Sequence, residues 1–185
     1  PSTEDMLNAI AKINADNIFI LPNNKNIILA AEQAMRMTKD KNIIVLPSKN
    51  VPQGIAALIG FVPEDDVDVN TENMKEEMTR VKTGQVTYAV RDTSLNGVEI
   101  KQGNIMGIGD AGILSVGEEI ADTAFAMVEA MIDEDSELIS IYYGEEIAED
   151  AANGLADRIM EAYPDVDVEL HLGGQPVYYY VVSVE

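Results

Sequence analysis

The stretch Asn17-Ile18-Phe19-Ile20-Leu21-Pro22-Asn23-Asn24 decides the fold of the first half of the chain, because it returns 25 residues later as Asn42-Ile43-Ile44-Val45-Leu46-Pro47-Ser48-Lys49. In each copy a proline ends a short apolar run, and polar residues follow. Because the apolar residues do not alternate with polar ones, each run is typical of a strand buried on both faces, as in a parallel sheet. We therefore expect two βα units joined by a right-handed crossover.

Helical patterns surround these strands, and the second half of the chain has a different pattern. There, short strands are separated by glycine turns, Asn96-Gly97 predicts one hairpin, and Gly173-Gly174 predicts another between 166–172 and 177–184. We expect an α/β fold of two lobes. Parallel βα units would form the lobe at 1–83, and a mixed sheet with packed helices would form the lobe at 84–185.

The charge distribution also divides the chain. Twelve Lys and Arg residues stand against 33 Asp and Glu residues, a net charge of -21. Residues 1–61 hold five acids and six bases, whereas 62–185 hold 28 acids and six bases. Such a chain repels phosphate backbones and anionic lipid head groups, so we expect neither nucleic acid nor a membrane surface as a partner, and a basic protein surface is its natural complement. No apolar run approaches the roughly 20 residues that span a bilayer, so we also expect no membrane insertion.

Two further features of the composition set expectations about context. The absence of cysteine excludes a disulfide scaffold and thiolate chemistry, and it agrees with a cytoplasmic location. The chain begins at Pro1 rather than methionine, and we expect it to be a fragment of a longer protein.

Two groups of residues are candidate binding sites. One follows the two parallel strands, where ligand crevices form in open sheets, although the same residue types also cap helices. The other belongs to an acidic region, 118–161, with 14 acids and one base. That region could be the solvated face of two helices, a cation site, or a docking surface for a basic partner. The candidate partner-binding residues are Asn23, Asn24, Lys25, Ser48, Lys49, Asn50, Glu118, Glu119, Glu145 and Glu146.

Patterns associated with catalysis or metal binding have structural explanations that we favour. Gly107 to Gly112 matches G-x-G-x-x-G, but a strand pattern follows it instead of a helix, so a strand-connecting turn is expected. The acidic segment Asp66 to Glu77 resembles a calcium loop without the required glycine, and a linker with a helix cap is expected there. His171 is the sole histidine and is expected to be a structural or surface residue. We therefore predict no catalytic residue and no metal or cofactor site.

Several stretches are similar to the C-terminal region of bacterial fatty acid kinases, which belong to the dihydroxyacetone-kinase-related family. The similarity extends over essentially the whole chain. It is carried by NIFILPNNKNIILAAEQ (17–33), KNIIVLPSKNVPQGIAALIG (41–60), NIMGIGDAG (104–112), LISIYYGEE (138–146), GGQP (173–176) and SVE (183–185).

The resemblance implies a DegV-like fold and a role without catalysis in this region. In the family, a separate N-terminal domain binds ATP and Mg²⁺, a middle domain dimerises, and a DegV-type partner carries the fatty acid that becomes an acyl phosphate. The C-terminal region would recruit that partner and contact the other domains of the kinase. The alternative is that this region binds and carries fatty acid itself.

Overall fold

A computed structural model describes residues 1–95 and 97–185, so the expected hairpin residue Asn96 lies outside the described residues. The chain divides into two compact units, Pro1–Val81 and Lys82–Glu185. The division falls two residues before the one expected from sequence, because Lys82 already belongs to the first strand of the second unit.

The first unit contains four helices and a pair of strands in its described residues. β1 and β2 are parallel, and each residue pairs with its counterpart in the repeat, from Asn17 with Asn42 to Ile20 with Val45. The predicted βα organisation is therefore confirmed. The elements are α1 (Thr3–Lys12), β1 (Asn17–Ile20), α2 (Ile28–Met37), β2 (Asn42–Val45), α3 (Val51–Ile59) and α4 (Val67–Arg80).

The two faces of this small sheet pack against different helices. Ile18 and Ile43 join a cluster with residues of α1 and α2. Phe19 and Ile44, one position along, pack against a second cluster built around residues of α3 and α4. Because successive strand residues point to opposite faces, this two-sided burial explains why the strands are apolar throughout.

The second unit is built around a six-stranded mixed sheet in the order β7-β6-β3-β10-β8-β9. A separate small ladder, β4 with β5, flanks Asn96. The elements are β3 (Lys82–Tyr88), β4 (Thr93–Leu95), β5 (Val98–Ile100), β6 (Ile105–Gly109), β7 (Gly112–Gly117), α5 (Ile120–Met131), β8 (Leu138–Tyr143), α6 (Glu149–Ala162), β9 (Asp167–Leu172) and β10 (Tyr180–Val184).

The helices α5 and α6 share one core with this sheet. Met127 and Val128 of α5 and Ile159 of α6 are fully buried in it. Arg158 of α6 also lies over the ring of Phe125 of α5, 4.1 Å from its centroid. The mixed sheet with packed helices that the sequence predicts is therefore confirmed.

The predicted pairing of the last two strands is wrong. β9 runs parallel to β8 at the edge of the sheet, and β10 lies between β8 and β3, antiparallel to both. Burial explains the arrangement, since β10 is almost entirely buried and requires neighbours on both sides, whereas β9 alternates exposed and half-buried residues. Within the described residues, no helix is long and apolar enough to cross a membrane.

Candidate functional site

The structure brings together Asn23 and Ser48, two of the candidate residues that follow the parallel strands. The backbone N–H of Asn23 donates to Ser48 Oγ over 2.9 Å, and the Ser48 hydroxyl donates to Asn23 Oδ1 over 2.7 Å. Ser48 is fully buried, and Asn23 adopts a left-handed backbone with φ of 53°. Both the donor and the acceptor capacity of the serine hydroxyl are therefore used inside the unit.

The other candidate residues of this group play local roles. Asn50 caps α3, because its Oδ1 accepts from the backbone N–H of Gln53 over 3.0 Å. Asn24 accepts from the N–H of Asn26 over 2.9 Å, which forms an Asx turn. The N-cap of α2 is Ile27, which makes no side-chain capping bond, so the prediction that the cluster 23–25 caps the helix after it is wrong.

The two lysines of this group, Lys25 and Lys49, are exposed. The backbone N–H of Lys49 donates to Gln53 Oε1 over 2.8 Å, which ties it to the first turn of α3. A binding role for this group stays a prediction, since its buried polar atoms already hold the local backbone in place.

The acidic candidates lie at one edge of the second sheet. β7, β3, β8 and β9 all point the same way, because β6 and β10 pair antiparallel with their neighbours and β8 and β9 are parallel. Their carboxyl ends therefore share one edge, where Glu118 and Glu119 follow β7 and Glu145 and Glu146 follow β8. We call these four residues the acidic edge.

The spacing and exposure of the acidic edge suit a protein-sized partner. β7 and β8 are four strands apart in the sheet, which places the two pairs about 19 Å from each other at the usual strand spacing. All four carboxylates are exposed. The chain after β3 also carries Arg91 and Lys101, whose charges Asp92 and Glu99 offset. The four glutamates therefore set the sign of the charge along this edge.

Helix starts give these acids a structural role as well. Glu119 is the N-cap residue of α5, without a side-chain capping bond. Glu145 and Glu146 precede α6, whose first turn adds Glu149 and Asp150. Negative charge near a helix N-terminus is stabilised by the helix dipole. The solvated-face interpretation therefore explains the local placement, while the outward charge remains available to a partner.

A fixed loop, 173–178, lies beside the Glu145 pair. The backbone N–H of Gly173 donates to the Tyr143 carbonyl over 3.0 Å, and that of Glu145 donates to the Gln175 carbonyl over 3.2 Å. The Gln175 side chain donates to the Tyr142 carbonyl over 2.8 Å. The loop is therefore bound to the carboxyl end of β8 at several points.

This loop presents an apolar side chain that the sequence did not identify. Val177 has a positive φ of 72°, and the residue is 54% exposed. Its carbonyl accepts from Thr87 Oγ1 of β3 over 3.0 Å. The sequence pattern predicts a strand over 177–184 and therefore misses the turn at Val177, because β10 begins only at Tyr180. No local sequence signal marks a left-handed valine.

Two tyrosines lie next to this loop, and one of them is close to Glu146. The rings of Tyr88 and Tyr179 lie with their centroids 6.2 Å apart. Burial raises the pKa of Tyr179, and the neighbouring Glu146 carboxylate and Tyr88 raise it further. Tyr88 is itself exposed at the end of β3. Apolar and acidic groups therefore adjoin at this edge, a combination typical of protein interfaces.

The glycine motif spans two adjacent strands and the turn between them. Gly107 and Gly109 lie in β6, and Gly112 begins β7 across a hairpin turn. A Cβ at Gly107 would meet Met127 of α5 at 2.7 Å, so the glycine admits the helix. Asp110 in the turn accepts from the backbone N–H and the hydroxyl of Thr83, over 2.9 and 2.6 Å. The prediction of a strand-connecting turn is confirmed.

Asn70, in the segment that resembles a calcium loop, and the sole histidine, His171, also make contacts within the chain. Asn70 accepts from the Val62 N–H over 2.7 Å and donates to the Val62 carbonyl over 2.8 Å. His171 lies 3.2 Å from Glu169 and stacks on Tyr142, with centroids 5.2 Å apart. Among the residues that the structure describes, no group of three or more His, Cys, Asp or Glu is placed to hold a metal ion.

A second exposed surface belongs to α3 in the first unit. Val51, Ile55 and Leu58 recur at helical spacing and are 54%, 39% and 60% exposed. The stretch 50–62 carries no charged residue. This surface therefore lacks a charge pattern that would select one partner, unlike the acidic edge.

Comparison with known proteins places the chain in a family. The family model for the C-terminal region of FakA-like fatty acid kinase proteins matches residues 1–185. The chain belongs to this family. It is 44% identical over 185 residues to Protein YloV of Bacillus subtilis (strain 168), covering all of this chain and 33% of that protein. The chain thus spans about a third of the length of the curated relatives it matches.

Solved structures share the fold at low sequence identity. The DegV family protein Cg2579 of Corynebacterium glutamicum aligns with a TM-score of 0.71 at 14% identity, covering the whole chain and 81% of that protein. The fatty acid kinase (Fak) B3 protein of Streptococcus pneumoniae, loaded with linoleic acid, gives 0.58 at 16%, with 76% of that chain covered. The dihydroxyacetone kinase of C. freundii gives 0.65 at 13% and 42% coverage. The predicted DegV-like fold is therefore confirmed.

Proposed function

We propose that this chain is the non-catalytic C-terminal domain of a fatty acid kinase and recruits the DegV-type protein that carries the fatty acid. A separate N-terminal domain of the whole protein would bind ATP and Mg²⁺ and phosphorylate the bound fatty acid to an acyl phosphate. This assembly would work in the cytoplasm. Family membership supports the assignment to a kinase, and the greater length of the relatives supports placing the phosphoryl transfer in another domain.

The acidic edge is the observation that carries the recruitment proposal. Glu118 and Glu119 follow one strand, and Glu145 and Glu146 follow another that ends at the same edge of the sheet. Fixed charge of one sign accelerates the encounter with an oppositely charged surface and orients the partner. The fatty-acid-carrying protein would therefore present Lys and Arg residues to this edge.

The polar groups that resemble catalytic or phosphate-binding residues are held by contacts within the chain, which supports a role without catalysis. Gly107 of the glycine motif lies against Met127 of α5, Gly109 lies against Leu114 of β7, and Asp110 accepts hydrogen bonds from Thr83. The serine hydroxyl after β2 is occupied by Asn23. A nucleophile or a phosphate cradle needs such groups free to meet a substrate. Bond formation is therefore assigned elsewhere in the kinase.

Complex formation by the purified chain tests the proposal. A DegV-type protein from the same organism, loaded with oleate, is titrated into the chain by calorimetry, with bovine serum albumin as the control protein. We expect saturable one-to-one binding of the DegV-type protein alone. A chain that does not bind it, or that itself produces acyl phosphate from ATP and oleate, would contradict the proposal.

The second candidate is a fatty-acid carrier, which the shared fold with DegV-type proteins favours. This candidate predicts that fatty acid accompanies the chain through purification. Mass spectra recorded under native conditions, before and after removal of lipid, distinguish the two functions. A mass shift equal to one fatty acid would support the carrier, and identical spectra would contradict it.

A further inference from the structure

Val177 is held in an unfavourable backbone conformation by the surrounding loop. Its φ is 72°, and the N–H of Tyr178 donates to the Pro176 carbonyl over 2.8 Å, so Val177 is the central residue of a three-residue turn. A γ-turn with positive φ is rare and strained, and a β-branched residue is among the least suited to it. Strain of this kind persists when the surrounding structure imposes it, and it is concentrated at functional sites.

The surrounding contacts impose this conformation from two sides. Thr87 of β3 holds the Val177 carbonyl, and the Gln175 side chain reaches the carbonyl of Tyr142 on β8. Gly144 lets the loop approach closely, since a Cβ there would meet the Gln175 carbonyl oxygen at 2.7 Å. The turn is therefore fixed between two strands of the sheet.

The consequence is an apolar side chain presented at the acidic edge. Val177 is about half exposed, although burying it would be favourable. Glu145 is bonded to the same loop through the Gln175 carbonyl. Exposed Leu172 ends β9 immediately before the loop. This part of the sheet edge therefore combines an exposed apolar side chain with neighbouring charged residues, as protein interfaces do.

We propose that Val177 is the apolar anchor of the docking surface. It would insert into an apolar recess, bordered by Lys and Arg, on the fatty-acid-carrying partner. This inference rests on the proposed recruitment function and adds a division of roles to it. Glu145 and Glu146 accelerate association, whereas Val177 slows dissociation once the partner is seated, because burial of an apolar anchor is lost only when the complex separates.

Kinetic measurements on the chain separate these roles. The chain is immobilised and the oleate-loaded DegV-type protein flows over it, for the wild type and for the variants V177G, V177A and E145Q/E146Q. We expect V177G and V177A to raise the dissociation rate about tenfold with an unchanged association rate. We expect E145Q/E146Q to lower the association rate at low salt and to leave dissociation almost unchanged.

A matched control lies on the other exposed apolar surface. Leu58 of α3 is 60% exposed, and L58S removes apolar area far from the loop in sequence. We expect L58S to bind like the wild type, which would support the anchor at Val177. Because V177G removes the positive-φ strain, we expect it to fold, and thermal unfolding of each variant checks that a faster dissociation does not come from misfolding.

The outcomes distinguish the anchor from the function on which it rests. Wild-type binding with unchanged dissociation of both Val177 variants would overturn the anchor and leave recruitment in place. Faster dissociation of L58S alone would place the docking surface on α3 and also overturn the anchor. Absence of wild-type binding would overturn both recruitment and the anchor.

Discussion

Thr87 Oγ1 donates a hydrogen bond of 3.0 Å to the carbonyl oxygen of Val177, and so ties the last turn of the chain to a central strand 90 residues earlier. The bond helps to hold Val177 at a positive φ of 72°, with its residue 54% exposed. Val177 belongs to the loop whose Gln175 carbonyl accepts a hydrogen bond from the Glu145 N–H at the acidic edge.

The strain at Val177 predicts an unusual effect on stability. V177G should raise the free energy of unfolding by about 1 kcal/mol, because glycine adopts a positive φ without a steric penalty. V177A keeps a Cβ and should gain less. Urea denaturation at pH 7 measures both variants, and a destabilised V177G would show that Val177 contributes packing that outweighs its strain.

Two glycines should respond to alanine in opposite directions. Gly107 faces Met127 of α5, so G107A forces the helix away from the sheet and should lower the free energy of unfolding by about 1–3 kcal/mol. Gly154 is exposed within α6, and a Cβ added there would meet no atom within 4 Å. G154A should therefore raise the free energy of unfolding by about 0.5–1 kcal/mol.

Thermal and urea unfolding of the two variants check this pair against each other. The packing account of the glycine motif would fail if G107A were as stable as the wild type, since the glycine would then be free for another role.

Ser48 should matter for stability because it is buried and bonded twice to Asn23. S48A leaves the N–H and the amide oxygen of Asn23 without that partner and should cost about 1–3 kcal/mol. The exposed Ser94 provides the control, since S94A should change the stability by less than about 0.5 kcal/mol.

The contrary result for S48A would be informative. A variant that unfolds at the wild-type urea concentration would indicate that the two hydrogen bonds of the Ser48 hydroxyl make no net contribution to stability.

The register of β1 and β2 was predictable from sequence, whereas the site at the far end of the chain was not. Ile18 pairs with Ile43 because the two copies of one short pattern fold in the same way. The alternation in 166–172 and the glycine pair after it are equally compatible with a hairpin. Only long-range burial decides that β10 inserts beside β8.

The candidate residues also divide into features that the local sequence predicts and features that depend on the tertiary fold. The four glutamates are recognisable as charge, and their common edge depends on strand order, which the sequence does not determine. The sequence pattern predicts a strand at Val177, whereas the structure has a turn there. The hydrogen bonds that fix this loop involve Thr87 and Gln175 and form only in the folded chain, so the local sequence does not reveal them. Local pattern therefore predicts the elements, and the docking surface requires the topology.

The ion pair between Lys82 and Asp133 should contribute to acid sensitivity. A side-chain hydrogen bond from the Lys82 ammonium lowers the pKa of Asp133 below its ordinary value, with Ser136 adding to the effect. A carboxyl whose pKa is lower in the folded than in the unfolded chain stabilises the fold above the unfolded pKa of about 4 and loses this contribution as the pH falls through the lowered folded value.

The variant D133N should therefore lose less stability than the wild type between pH 5 and the acid range at about pH 2–3. Urea unfolding at fixed ionic strength measures the difference. Parallel pH profiles for the two chains would show that the pair makes no net contribution to folding, as exposed ion pairs sometimes do not.

The binding of the oleate-loaded DegV-type protein across a sodium chloride series tests the central claim most directly. The wild-type association rate should fall steeply between about 0.05 and 0.5 M salt, because the Debye length shortens from above 10 Å to below 5 Å. A chain with Glu118, Glu119, Glu145 and Glu146 changed to glutamine should start slower and depend far less on salt. If the wild type associates at the same rate at every salt concentration, or the glutamine variant matches it throughout, the acidic edge is not the docking surface.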